Sequence, residues 1–198
     1  LSSDEYPRLL RAETVSDPPL NLFYRGTGTL DRRHILSIVG TRHITDYGKE
    51  IIENLLADLA RLLPDVLIVS GLAYGVDIHA HRAALAGNLD TIAVLAHGLD
   101  RIYPTLHRDT AEQMTQHGGL LTEYFTHTVP DKGNFVRRNR IVAGLSAATL
   151  VIESADKGGA LITANLAASY GREVMAYPGR ITDRYSAGCN QLIRDNKA

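Results

Sequence analysis

The residues of this sequence best suited to chemistry are cations and small polar groups set beside glycines, a pattern that suits anion binding more than bond-making. Gly40-Thr41-Arg42 follows one short apolar run, with Tyr47-Gly48 a few residues on, and the turn from Ser70-Gly71 to Gly75 follows the next. Glycine at a strand-to-helix turn lets the backbone approach a ligand, and the helix start behind it offers free N–H groups to negative charge. A guanidinium beside two such turns, that of Arg42, fits a phosphate better than it fits packing. The competing reading is that these glycines only tighten βα turns. Neither turn is a GxGxxG fingerprint, and no GxxxxGKS or GxxxxGKT loop occurs in the chain.

The stretch Lys132-Gly133-Asn134-Phe135-Val136-Arg137-Arg138-Asn139-Arg140 is the concentrated basic segment. If Asn134 caps a helix beginning at Phe135, then Phe135, Arg138, Ile141, Val142 and Leu145 share one face, while Arg137 and Arg140 lie off it. Arg138 would then lean toward a sheet at the helix's first turn. Cations at a helix N-terminus oppose the macrodipole, and a bound anion would relieve that conflict. A solvated face with a structural ion pair is the plainer alternative. A further glycine turn, Ser154 to Thr163, places Lys157 beside Gly158 and Gly159 after a strand ending at Glu153. Arg42, Ser70 with Gly71, Arg138, and Lys157 with Gly158 are expected to converge on one rim.

Other constellations point less firmly to chemistry. Asp77-x-His79-x-His81 invites a metal reading, but on a helix only Asp77 and His81 share a face, and no cysteine or further carboxylate is spaced to complete a site. A core-facing hydrogen bond that positions the Ser70–Gly75 turn suits that face better. Ser70, His81 and Asp77 could be written as a triad, yet no GxSxG elbow accompanies them. The remaining histidines are expected on the surface. Cys189 is expected to be a small buried hydrophobe just before a short terminal helix. No metal, cofactor or catalytic residue is expected.

These turns need a frame to hold them. Apolar runs at 34–39, 65–69, 91–96, 119–122, 149–153 and 173–177 read as strands, several of them apolar on both faces. Amphipathic stretches at 48–63, 77–86, 108–117, 137–146 and 161–170 read as helices between them. Strand and helix in turn predict an α/β, doubly wound, mainly parallel sheet with helices on both faces, an extended Rossmann-like fold. Residues 1–30 are turn-rich and read as a connecting segment packed on the core, with one short strand near 22–24; residues 31–198 read as the domain itself. In such folds ligands sit outside the carboxyl ends of the strands at a topological switch point, where these turns belong.

Composition bounds the rest. The 198 residues are 44% hydrophobic and 22% charged, which excludes a disordered, collagenous or coiled-coil chain. No apolar run is long enough to span a bilayer, and no secretory signal opens the sequence, so the expected location is cytoplasmic. A single cysteine forms no internal disulfide. The net charge of −1 argues weakly against nucleic acid, although it hides the basic cluster. Because the first residue is Leu1, the sequence reads as a piece of a longer chain.

Val39-Gly40-Thr41-Arg42 with Tyr47-Gly48, SGLAYGVDIHAH from Ser70 to His81, and GLDRIYP from Gly98 to Pro104 resemble the DNA-processing protein DprA (Smf) family. So do Thr122-Glu123, RNRIVAGLS from Arg138 to Ser146, GGALITA from Gly158 to Ala164, Pro178-Gly179, and GCNQLI from Gly188 to Ile193. The resemblance runs from about Leu20 to the end with the motif order kept. It implies a Rossmann-like domain without known catalysis that binds single-stranded DNA during natural transformation, protects the incoming strand and helps load RecA recombinase. It also implies a homodimer formed near the C-terminal helices, and flanking helical and winged-helix-like domains expected to lie outside these residues. Carried over by position, it places the DNA backbone at Gly40, Thr41, Arg42, Ser70 and Gly71. The same carry-over adds Phe135, Arg137, Arg138, Asn139 and Arg140, with Lys157, Gly158, Gly159 and Thr163. Thr41 and Thr122 stand where Ser is common, and Lys157-Gly158-Gly159 replaces a more usual Ser-Gly-Ser turn. The rival from another class is a phosphoribohydrolase of the LOG type, which uses PGGxGTxxE; here the corresponding turn lacks the second glycine pair and the glutamate. A third reading is a structural dimerisation module whose DNA contacts lie elsewhere.

Overall fold

Runs of four or five Ile, Val and Leu residues are too short to bury as helices and too apolar to leave either face in water, so they pair into a sheet covered on both sides. In a computed structural model, which describes residues 1–2 and 4–198, such runs form the centre, and partly exposed segments at 23–26 and 173–176 the edges, of a sheet of seven strands. These are β1 (Phe23–Gly26), β2 (Ile35–Val39), β3 (Leu67–Ser70), β4 (Thr91–Val94), β5 (Gly118–Thr122), β6 (Ala148–Val151) and β7 (Glu173–Ala176). The helices are α1 (Asp46–Leu62), α2 (Val76–Ala86), α3 (Arg108–Met114), α4 (Lys132–Leu145), α5 (Gly159–Ser169) and α6 (Ala187–Arg194). The strand order is β1-β5-β4-β3-β2-β6-β7, with every neighbouring pair parallel except β1 against β5.

Alternation along each strand divides the core in two. Ile35 and Val39 of β2, Leu67 and Val69 of β3, and Ile92 and Val94 of β4 join Ile141, Val142 and Leu145 of α4, together with Ala160 and Ala164 of α5. Ile38 and Ile68 point the other way, onto Ile51, Ile52 and Leu56 of α1 and Val76 and Ala80 of α2. Under β4 and β5, Ala93 and Leu120 meet Ala111 and Met114 of α3. Each fully buried Leu or Ile side chain contributes roughly 1.5–3 kcal/mol, so the sheet is held from both faces.

The segment before residue 31 is built into this frame. Leu10, Leu22 and Leu30 are buried in the α4 side of the core, and the expected short strand is β1, placed one residue later as an antiparallel edge on β5. α1, α2 and α5 start one or two residues before the expected positions, and two further helix starts differ more. α4 begins at Lys132 because Asp131, not Asn134, is its N-cap: the Asp131 carboxylate accepts the Asn134 N–H at 3.0 Å. The terminal helix α6 includes Gly188-Cys189-Asn190 instead of following it.

From β2 the chain winds outward through β3, β4 and β5, and α4 then returns it to the other side of β2, where β6 and β7 follow. The winding direction reverses at β2. The carboxyl ends of β3, β2 and β6 therefore open onto one crevice, and α4 and α5 begin beside it.

Candidate functional site

Each strand end at the switch point is followed by a turn whose backbone is tied down from another element. After β2, the Thr41 N–H donates to the Glu153 carbonyl at 2.7 Å and the Val76 N–H donates to the Thr41 carbonyl at 3.1 Å. The Glu153 side chain, buried at the end of β6, accepts the Thr45 N–H at 2.9 Å and its hydroxyl at 2.5 Å. Thr45 in turn caps α1 through the Gly48 N–H. One carboxylate thus fixes the Gly40–Thr45 loop against β6 and seats α1.

The turn after β3 is held more tightly still. Ser70 donates to the Ile38 carbonyl at 2.6 Å, the Asp77 carboxylate accepts the Ala73 N–H at 3.3 Å, and His107 donates through Nδ1 to the Leu72 carbonyl at 2.8 Å. Leu72 is forced to φ 60°, a conformation that costs an L-residue about 1–2 kcal/mol. Gly75, at φ 75°, lies so close to the Thr41 carbonyl that no side chain fits.

Arg138 joins this turn to α4. Its side chain crosses beneath the turn and donates from Nη1 to the carbonyls of Gly71, at 2.7 Å, and Val94. Only 4% of the residue is exposed. Burial pulls its pKa below the usual arginine value, against the opposing attraction of Asp77. Asp77 is the complement: burial pushes its carboxyl up, while Arg138 and N–H donors from Ala73 and Gly71 pull it back. Nη2 of Arg138 makes no hydrogen bond with the described residues, and the residue lines the crevice.

The crevice encloses about 610 Å³. Gly40, Thr41 and Arg42 form one side, Gly71 and Arg138 the back, and Phe135 and Asn139 of α4 the other side. Gly158, Gly159 and Thr163 bring in the start of α5. That helix has no side-chain cap, and a Cβ at Gly159 would meet nothing within 4 Å, so the N–H groups of Gly159 and Ala160 are open to an anion, while that of Leu161 bonds the Gly158 carbonyl at 3.1 Å. Arg42 is exposed, with its guanidinium 5.2 Å from the centre of the Phe135 ring, and the Tyr103 ring lies 5.8 Å from that of Phe135. Of the carboxylates in the crevice, Asp131 caps α4 and Asp77 holds the β3 turn.

Four expected residues lie outside this crevice. Ser70 is fully buried behind it. Arg140 is nearly buried and bonds Glu123 at 2.5 Å, with Asp17 at 3.6 Å, which is the structural ion pair of the plainer alternative for this segment. Arg137 shares with it a separate depression of about 550 Å³ that Leu20, Val136 and Ile162 line. Lys157 faces a third hollow, between α5 and α6.

The histidines also depart from expectation. His97 and His107 are buried rather than superficial. His81 does not reach the Ser70–Gly75 turn, which Asp77 holds; its Nδ1 lies 2.7 Å from the Thr91 hydroxyl, and burial pushes its pKa down to about 3. Among the described residues no group of three or more His, Cys, Asp or Glu is placed to hold a metal ion. No helix among them is long and apolar enough to cross a membrane.

Sequence reasoning missed Tyr103, Glu153 and Asp131. Tyr103 belongs to the GLDRIYP segment, whose position just after β4 was the available signal. Glu153 marks the end of β6 and could have been read as a buried carboxylate serving the neighbouring turn.

A parallel sheet with its crevice at the switch point defines the chain as a Rossmann-like α/β protein. The family model described as DNA recombination-mediator protein A matches residues 1–198, and the chain belongs to that family. It is 40% identical over 195 residues to the DNA processing protein DprA of Bacillus subtilis, covering 98% of this chain and 64% of that protein. It is 42% identical over 193 residues to Protein Smf of Escherichia coli, covering 97% and 50%. The chain thus spans about half to two-thirds of the length of these curated relatives. Its fold matches the X-ray structure of DNA processing protein A from Streptococcus pneumoniae with a TM-score of 0.90 and 38% identity, over 97% of this chain and 66% of that one. The Helicobacter pylori DNA processing protein A, studied for its single-stranded DNA binding mode, matches with a TM-score of 0.87 and 34% identity, over 97% and 86%.

Proposed function

We propose that the switch-point crevice binds single-stranded DNA independently of sequence. The observation that carries this reading is the exposed Arg42 stacked on Phe135 at the mouth of a crevice into which the uncapped start of α5 opens. A phosphate suits the α5 N–H groups together with Arg42 and Nη2 of Arg138, while a base suits the faces of Phe135 and Tyr103. Such contacts recognise backbone and π-surface, which every nucleotide has. Single-stranded DNA binding by the H. pylori relative supports the same assignment here. The phosphoribohydrolase reading has less support, because Asp77, Asp131 and Glu153 each accept a structural hydrogen bond that fixes a turn or a helix start.

The wider role we propose is that of the family: receiving a single strand during natural transformation, without catalysis, and passing it to RecA recombinase, with two copies of this domain paired near α6. Dimerisation would raise affinity through effective concentration whenever one strand reaches both crevices.

The test is fluorescence anisotropy with labelled oligo-dT, comparing wild type with Arg42→Glu at a series of salt concentrations. Arg42 is exposed and its charge reversal leaves the core untouched. Wild-type binding should weaken with salt, with each phosphate contact adding about 0.7 to the log–log slope for single strands, and the variant should lose both affinity and slope. Equal binding by the two proteins would remove the crevice from DNA recognition. Release of free base from nucleoside monophosphates would instead favour the hydrolase.

A further inference from the structure

The crevice does not end at Arg42. The next residue, His43, turns away from Phe135 and lays its ring alongside Tyr185, with centroids 6.1 Å apart and planes 23° apart. Tyr185 closes a loop running from Pro178 between β7 and α6. Both ends of that loop are pinned. The Pro178 carbonyl accepts the Tyr47 hydroxyl at 3.1 Å, and the Gly179 N–H and carbonyl both bond the Asn190 side chain, at 3.1 and 2.9 Å. At the other end the Tyr185 carbonyl accepts the Ser154 N–H at 2.6 Å, and Ser154 itself lines the crevice. The tip between these anchors is exposed and carries Arg180 and Arg184 against one acid, Asp183.

Two features of the tip point to a polyanion. First, neither Arg180 nor Arg184 has a carboxylate within ion-pairing distance among the described residues, although Asp183 lies between them in sequence. Second, the Arg184 guanidinium lies 5.7 Å from the centre of the Tyr185 ring, the same pairing that Arg42 makes with Phe135 inside the crevice. A guanidinium held over a half-buried aromatic offers a phosphate contact and a stacking face in one unit. The Arg42–His43 pair bridges the two units, one residue facing each. Tyr185 is fixed by the same residue, Ser154, that borders the crevice.

We propose that the Pro178–Tyr185 loop is a second contact for single-stranded DNA, over which the strand runs as it leaves the crevice. Arg180 and Arg184 take backbone phosphates there, and Tyr185 takes a base. This rests on the crevice binding the same strand. It makes the site a track with two segments, and it predicts that affinity depends on strand length.

The experiment compares wild type, Arg180→Ala/Arg184→Ala and Tyr185→Leu on dT oligonucleotides of increasing length, with Arg42→Glu as the crevice control. Wild-type affinity should rise once the strand outgrows the crevice. The double arginine variant should match wild type on the shortest strands, gain nothing with length, and lose about 1.4 from the salt slope on long ones, for two phosphates at about 0.7 each. Tyr185→Leu should lose about fivefold or more on long strands only. Arg184→Glu is the second variant, and it should weaken long-strand binding beyond the alanine substitution. A double variant that keeps the wild-type slope and length dependence overturns the second contact. So does equal weakening on short and long strands, which would fold these arginines into the crevice itself. Failure of Arg42→Glu to weaken binding, or no binding by wild type, would instead overturn the crevice reading on which this one rests.

Discussion

Replacing Gly71 with alanine would set a methyl carbon 2.3 Å from Nη1 of Arg138 and 2.5 Å from its Cζ. The guanidinium cannot simply step aside, because Nη1 is bound to the carbonyls of Gly71 and Val94 and the side chain is enclosed. Moving it breaks two hydrogen bonds from a charged donor, each worth about 1.5–3 kcal/mol, and distances the charge from Asp77. Water in the crevice would recover part of that, leaving a cost of about 2–3 kcal/mol. Arg138→Ala alone should cost about 3–5 kcal/mol, because it strands the buried Asp77. In that background the new methyl group meets vacant space, and Gly71→Ala should cost under about 1 kcal/mol. Urea unfolding of the two single variants and the double variant gives the coupling directly. A Gly71→Ala penalty that is the same with and without Arg138 would refute the picture of the arginine as the pin beneath the β3 turn.

Two further outcomes follow from buried titratable groups. His81 is held neutral, its pKa depressed to about 3, so between that value and its unfolded pKa near 6.5 the unfolded chain binds the extra proton. Stability contributed by the neutral ring is therefore fully present above about 6.5 and falls as the pH drops, by up to about 1.4 kcal/mol per pH unit. The burial-lowered His97 and His107 act in the same direction, and the raised carboxyl of Asp77 opposes them near its own range. Denaturation midpoints of wild type and His81→Gln measured from pH 7.5 down to about pH 4.5 should converge; parallel curves would contradict this. Burial pushes the Cys189 thiol up to about 11, so a thiol reagent at about pH 8 should label it only on unfolding, at a rate that tracks urea concentration. Prompt labelling of the native protein would contradict its enclosure beneath β6.

The frame is legible because its signals are local. Ile35 to Val39 and Leu67 to Ser70 announce strands by residue type alone, and the same alternation that puts Ile38 and Val39 on opposite faces says where the helices must lie. Arg138 is legible too, since helical spacing from Phe135 points it at the sheet whichever residue caps α4. Pairings between distant parts of the chain leave no such local mark. The fate of Arg140 is decided by Glu123 and by Asp17, in a segment that looks like a linker. Lys157 shares its turn with Gly158, yet the glycine borders both the crevice and the hollow between α5 and α6, whereas the lysine lines only the hollow. His107 reads as a surface residue because nothing near it in sequence needs a donor; its acceptor is the carbonyl of the strained Leu72, 35 residues away. Asp131 does not read as a cap because Gly133 inside the first turn makes that stretch look like loop.

The edge strand β1 has a consequence for solubility. It is a short antiparallel strip whose residues Phe23 to Gly26 satisfy the outer hydrogen-bonding groups of β5, and the Tyr24 hydroxyl clasps the Gly28 and Gly118 carbonyls at 2.7 and 2.6 Å. Without it, β5 would present a row of unpaired amides beside the apolar pair Leu120 and Leu121, a template for pairing with the same edge of another molecule. The turn-rich stretch ahead of the first parallel strand is therefore a guard against self-association. A version of the domain trimmed to begin at residue 31 would lose Leu10, Leu22 and Leu30 from the core together with this cover, and would be expected both to unfold more readily and to aggregate.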